Sequence, residues 1–315
     1  MKRDSGIHVV VSAYQRPEKL QARYAEIATW GKFSKIIFSI DGLRENRDVD
    51  EKFRRERVVE VAEKIATEDN SVEVLVWNVN TGVNNHLARL FNSISQTERI
   101  IFIEDDVGVD HTALDFLHTN ISKNDSLAVA AHSYRNHVNL NPTNPILTLF
   151  PAQWGIALTL PVMESYLRVI KSKKIERRFI SKVFKSIFHD YLSSFQIQSL
   201  TQWWFNHFFF CEKHGNWADA LIQYSVYANG GTYTVPGSSL IFDDNSINDI
   251  RSMNPRQSAS MNHYCSDAVF FHENNQNICL SCELHNSRIH EAKLRNLIGA
   301  TKHRKIVQAR ERRPY

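Results

Sequence analysis

Five short apolar runs, separated by helical patterns, constrain the first 132 residues more than any other feature of the chain. IHVVVSAY (7–14), KIIFSID (35–41), VEVLVWN (72–78), RIIFIED (99–105) and LAVAAH (127–132) are near-continuous rather than alternating in polarity. Strands covered on both faces of a parallel sheet read this way. Between them, PEKLQARYAEIATW opens with Pro17 at a position that suits a first helical turn. DEKFRRERVVEVAEKIA (50–66) carries an apolar stripe at Phe53, Val58, Val61, Ala62 and Ile65, and GVNNHLARLFNSI (82–94) aligns Leu87, Leu90, Phe91 and Ile94. Such alternation predicts right-handed βαβ units and a doubly wound, mostly parallel α/β sheet with helices on both faces.

Beyond residue 132 the pattern loosens. SYRNHVNLNPTNP reads as a loop, PAQWGIALTLPVMESYLRVI as a strand and a helix, and NWADALIQYSVYANGG (216–231) as a helix closed by glycines. IERRFISKVFKSIFHDYLSSF is basic and amphipathic, suited to packing or to a surface, with packing the expectation for its Phe and Ile stripe. TYTVPGSSLIFDDN is strand-like. No repeat or low-complexity linker appears, so the simplest division is 1–132, 133–260 and a C-terminal extension, 261–315.

A content of 43% hydrophobic and 23% charged residues is that of an ordinary globular enzyme, and a net charge of +4 does not argue for nucleic acid. The basic tail KHRKIVQARERRPY has no interleaved aromatics for stacking bases, so it suits an anionic membrane surface or simple solvation. No secretory signal is convincing, and the longest apolar region, 146–162, is broken by prolines. A cytoplasmic protein, peripheral to the inner membrane face, is the expectation. Cys265, Cys279 and Cys282 lie among histidines, but their spacing fits no standard zinc finger, so reduced thiols are favoured over zinc.

In an open parallel sheet, ligands sit beyond the carboxyl ends of the strands. Three polar features fall there: Ser12 to Arg16 after the first run, Asp41-Gly42 after the second, and Glu104-Asp105-Asp106 after the fourth. No glycine follows the first run, so the dinucleotide fingerprint is absent, and so is the phosphate-loop pattern. Adjacent carboxylates can instead hold a divalent cation that bridges diphosphate oxygens. The bland reading is a polar strand end before a helix capped by Asp110.

VVVSAYQRPEKL, FSIDG, NTGVNNHLARLFN and RIIFIEDDV, in that order and near that spacing, resemble the nucleotide-sugar-binding half of the GT-A glycosyltransferases. The EDD form of the metal motif is similar to that of the inverting N-acetylglucosaminyltransferase I group and of bacterial family 2-like transferases. The resemblance implies that Ser12 to Arg16 line the nucleotide pocket, with Arg16 near base or diphosphate. It implies that Asp41 accepts from the base and that Gly82 admits the ligand to the backbone beside Asn80 and Asn84. Asp106 would bind Mn²⁺ (or Mg²⁺) directly, with Glu104 and Asp105 contacting ribose or water, and His272 or His263 would complete the metal shell. It implies a catalytic base in the acceptor half. Asp219 in GNWADAL is the choice, with Asp243, Asp244 and Glu212 as alternatives, although an Asp in a first helical turn is favoured by the helix dipole alone. Trp154 would stack on a sugar, or simply fill the core. The implied donor is a UDP-sugar and the implied acceptor a glycan or lipid-linked glycan, as in bacterial surface polysaccharide synthesis. A nucleotidyltransferase acting on sugar phosphates, or a non-catalytic carbohydrate- or nucleotide-binding protein, is the competing reading.

Overall fold

The computed structural model describes residues 6–45, 48–123, 126–133, 136–137, 141–149, 154–189, 194–213, 218–243, 264–265, 270–273 and 276–279. In chain order the elements are β1 (Ile7–Ala13), α1 (Pro17–Trp30), β2 (Lys35–Ile40), α2 (Val49–Glu68), β3 (Val72–Val76), α3 (Gly82–Ser93), β4 (Arg99–Glu104), β5 (Val107–Val109) and α4 (His111–Ile121). There follow β6 (Ala128–Ala130), β7 (Asn136–His137), β8 (Pro145–Thr148), β9 (Ile156–Thr159), α5 (Leu160–Ser172), α6 (Arg177–Phe188), α7 (Ser194–Lys213), α8 (Ala218–Ala228) and β10 (Tyr233–Pro236). The last are β11 (Ile241–Asp243), β12 (Tyr264–Cys265), β13 (Phe270–Glu273) and β14 (Gln276–Cys279).

Among the described residues, one sheet runs β13-β14-β8-β10-β6-β9-β4-β1-β2-β3. Strands β1 to β4 are mutually parallel, whereas β9 inserts antiparallel between β4 and β6. The sheet is therefore parallel in its N-terminal half and mixed beyond it. The chain leaves β1 toward β2 and β3, then returns to place β4 on the other side of β1. That reversal opens a crevice between the carboxyl ends of β1 and β4.

The continuous apolar runs have a direct cause. Along β4, Ile100 and Phe102 enter one hydrophobic core while Ile101 and Ile103 enter another, and Val10 of β1 faces away from Val9 and Val11 in the same manner. Successive strand residues point to opposite faces, so a strand buried on both needs apolar residues at every position. The first core takes residues from α3, α5, α6, α7 and α8, and the second from α1, α2 and α4. The α6 stripe packs as expected, with Ile180, Val183 and Phe184 buried. Phe53 does not: it is 60% exposed, and the buried side chain of that turn is Glu51. The Tyr14 hydroxyl donates to Glu51, so the inward face of that turn serves the loop after β1. No helix among the described residues is long and apolar enough to cross a membrane.

Truncating Phe184 to Ala should cost about 3–5 kcal/mol, whereas Phe53→Ala should stay within about 0.5 kcal/mol. Urea-denaturation midpoints measure both, and equal losses would contradict the packing of α2.

Candidate active site

The crevice between β1 and β4 gathers the first set of polar side chains. Ser12 pairs in register with Glu104, and the Asp105 N–H donates to the Ser12 carbonyl at 3.0 Å. Pro17 starts α1 immediately after Arg16, which fixes the loop that carries the guanidinium. Arg16 Nη1 lies 3.0 Å from Asp105 Oδ1 and 2.8 Å from Asp106 Oδ2. The carboxylates that follow β4 are thus held by a cation from the end of β1, across the topological switch.

Their environment is costly for charge. Desolvation, followed by Asp106, Asp219 and Asp105, pushes the Glu104 carboxyl up to about 8, against a lowering by Arg16. Burial raises Asp105 to about 6, although Arg16 and the Tyr14 N–H stabilise its charged form. Burial disfavours the Arg16 cation, but Asp105 and Asp106 outweigh it and lift the guanidinium above its ordinary value. At neutral pH Glu104 therefore carries a proton, while Asp106, partly open to the cleft, faces solvent.

Asp219 belongs to the same constellation. It sits in the first turn of α8 and is close enough to Glu104 for its charge to raise that group. Its side chain reaches solvent through the cleft, yet the protein around it desolvates it and raises its own carboxyl. Trp154 immediately precedes Gly155 and β9, whose register pairs Ile156 with Phe102. Gly155, at φ +64°, ends the strand there, and the Trp154 indole packs against the core that holds Ile101 and Ile103. The half-buried indole also packs against the ring of His132, with centroids 4.9 Å apart.

A second cluster lies after β2. Asp41 Oδ2 accepts from Asn80 Nδ2 at 2.9 Å, and Oδ1 accepts from the Gly42 N–H at 2.8 Å. His86 Nδ1 stands 3.4 Å from Asp41 Oδ1, and its Nε2 is 3.0 Å from Ser39 Oγ, which accepts from Trp77 Nε1 at 3.2 Å. The order Ser39, His86, Asp41 follows that of a nucleophilic triad, but Ser39 is fully buried. The cluster is a relay that fixes Asp41, not a nucleophile. Arg55 adds to it by donating to the carbonyls of Asp41 and Trp77, each at 2.8 Å.

Sequence reasoning assigned Asn80 to the ligand, but its amide is spent within the protein, bridging Asp41, the Gly42 carbonyl and the Gly82 N–H. It also gave close approach to Gly82. There φ is +77° and an added Cβ would meet nothing within 4 Å, which leaves that approach open. Within the protein a close approach is at Gly42, where a Cβ would lie 2.2 Å from the Val79 carbonyl carbon. His86 and Arg55 were missed; the available signal was that His86 falls four residues after Gly82, on the inward face that also carries Leu90.

Other expected residues are not brought to this site. His272 lies on β13 at the far edge of the sheet. Six strand spacings separate β13 from β4, roughly 29 Å, so the structure does not join His272 to Asp106. The backbone of Asp243 pairs with Val107, next to the acidic motif. The side chains of Asp243, Glu212, Cys211, Cys265 and Cys279, and residues His263, Asp244, Cys282 and the basic tail, lie outside the described residues. Among the described residues no three His, Cys, Asp or Glu side chains come together as a metal site.

No protein-family model and no curated protein matches the chain in sequence. Solved structures similar to parts of it include S. aureus TarS, at TM-score 0.44 and 11% identity over 76% of this chain and 37% of that one. Glucosyl-3-phosphoglycerate synthase from Mycobacterium tuberculosis, in complex with Mn²⁺, uridine diphosphate and glucosyl-3-phosphoglycerate, aligns at TM-score 0.34 and 15% identity, over 52% of this chain and 59% of that one. A cytidylyltransferase from Leptospira borgpetersenii aligns at TM-score 0.33 and 11% identity, over 50% and 62%. The chain spans less than two thirds of the length of each of these structures, and the assignment of an α/β fold rests on the sheet itself.

Gly42→Ala should destabilise by about 1–3 kcal/mol, because the clashing atoms are backbone and cannot swing aside; thermal unfolding measures it. His132 supplies a pH signature. Burial alone lowers its pKa to about 4, so the unfolded chain binds a proton that the folded chain refuses. The contribution of His132 is complete above pH 6.5 and is lost as pH falls toward 4, by up to about 3 kcal/mol. The difference in stability between wild type and His132→Gln should shrink across that window, and a flat difference would contradict the burial.

Proposed function

We propose that the chain is a metal-dependent glycosyltransferase of the GT-A type, moving a sugar from a UDP-sugar to a hydroxyl of a glycan acceptor with inversion. The observation that carries this reading is the meeting of Arg16, Glu104, Asp105, Asp106 and Asp219 at the carboxyl edge, where strand order reverses. Residues 1–132 form the donor half in this reading, 133–260 the acceptor half, and 261–315 an extension.

The donor set suits a hard cation. Asp106, Asp219 and Asp105 each act on Glu104 through their charge, and that repulsion contributes to the proton held by Glu104. Mg²⁺ or Mn²⁺ needs only one or two carboxylates and takes its remaining oxygens from phosphate and water, so an open carboxylate set fits where a closed cage does not. Asp106, more open to the cleft than Asp105, would hold it, supported by Asp105. Such an ion supplies Lewis-acid neutralisation of the leaving diphosphate.

The chain's own groups do the rest. Asp41, held by Asn80 and the Gly42 N–H, presents a carboxylate to a nucleobase N–H. Arg16 offers positive charge beside the diphosphate. The Asp219 carboxylate takes the proton of the acceptor hydroxyl as its oxygen bonds to the anomeric carbon. The bond to the diphosphate breaks with its electron pair leaving on the phosphate oxygen. Desolvation raises the basicity of Asp219, which suits that task. Trp154 lines the acceptor side.

UDP should raise the melting temperature only when Mn²⁺ is present, and Asp106→Asn should abolish the shift. Asp219→Asn should keep the shift while lowering transfer by about 10²–10⁴-fold. A melting point indifferent to every nucleotide, with or without metal, would remove this reading.

A further inference from the structure

The helix α6 has two faces with different occupations. Ile180, Val183 and Phe184 enter the core, while Arg177, Ser181, Lys185 and His189 recur at every fourth residue and share the other face. That row forms one wall of a cavity of about 340 Å³, whose opposite wall is Ser194, Ile197, Gln198 and Thr201 of α7. No acidic side chain lines it among the described residues. The cavity opens within a wider basic surface. Lys171, Lys173, Lys174, Arg177, Arg178, Lys182 and Lys185 are all exposed, and Glu176, the acid within that stretch, pairs with Arg178 at 2.6 Å. The guanidinium of Arg177 is spread over the Phe205 ring, 5.9 Å from its centroid, which orders it at the cavity mouth.

This site is separate from the crevice. Its lining includes none of Arg16, Glu104, Asp105, Asp106 and Asp219.

We propose that the groove between α6 and α7 binds a phosphate or diphosphate group directly, through Arg177 and Lys185 with the hydroxyl of Ser181 between them. Two cations and a hydroxyl match the charge and acceptor oxygens of a phosphate. The five further cations of that surface favour a phosphate presented on an anionic surface, since each basic group near such a surface adds to the attraction. A lipid headgroup and a soluble phosphate ester share this chemistry, and the test separates them.

The full chain is studied in EDTA, so that no divalent cation holds phosphate in the crevice. Sedimentation with vesicles of phosphatidylcholine, with and without phosphatidylglycerol, reads the surface-bound source, and thermal shift with inorganic pyrophosphate reads the soluble one. Arg177→Gln/Lys185→Gln should weaken whichever binding occurs by on the order of tenfold or more, while Arg177→Lys/Lys185→Arg should retain it. Circular dichroism confirms that each variant is folded. Vesicle binding lost in the Gln variant assigns a lipid headgroup, and a pyrophosphate shift lost in that variant assigns a soluble ester. Binding to neither probe, or binding the Gln variant leaves unchanged, overturns the proposal. A failed UDP shift in the crevice would leave this result untouched.

Discussion

Charge placed at the end of a doubly buried strand has few ways to be tolerated, and the arrangement of the crevice follows from them. Ile100 to Ile103 bury β4 on both faces, so the residues that follow leave the core in a fixed direction with little water around them. Asp105 and Asp106 are met by Arg16, and Glu104 is met by a proton. The ion pair is only as good as its geometry, because desolvating both partners costs several kcal/mol per ion. That geometry comes from the sheet. Arg16 reaches the carboxylates because β1 and β4 are adjacent and parallel, in register from Ile7–Arg99 to Ser12–Glu104.

The same logic explains why Asp41 needs so many supports. It stands at the end of β2, one strand further from β4, and a lone carboxylate in a partly buried turn would be free to rotate. Asn80 and the Gly42 N–H hold its two oxygens, and Arg55 ties down its backbone. The tight passage of Gly42 against Val79 and Asn80 brings those partners within reach. A carboxylate has about four acceptor positions, so these contacts orient Asp41 without using it up.

The first half of the fold was legible because its strands are buried on two faces, which writes a continuous apolar run into the sequence. Legibility failed where burial is not apolar. Phe53 matched the helical stripe of α2, yet Glu51 points inward, because the Tyr14 hydroxyl gives it a partner there. The antiparallel entry of β9 between β4 and β6 left no mark, since four residues of IALT satisfy either direction. The acidic motif and Asp219 were legible as residues that the fold brings close. His272 was not, because its distance depends on strand order across the sheet, which no local pattern encodes. His86 looked like one polar residue on an amphipathic helix, and only the pairing of β2 with β3 shows what it touches.

Charge is segregated in this molecule, although its net value is only +4. Carboxylates crowd the crevice, and cations crowd the outer face of α6. An anionic ligand meets these two places differently. In the proposed reading Asp105 and Asp106 offset much of the positive charge that Arg16 offers a diphosphate in the crevice, so binding there calls for an added cation. Along α6 the phosphate meets guanidinium, ammonium and hydroxyl groups directly, and its affinity falls as salt screens them. The two sites would therefore respond to opposite changes in solution: the crevice to divalent metal, the groove to ionic strength. A transfer reaction whose donor and acceptor both carry phosphate would need that separation, because one cationic site could not distinguish between them.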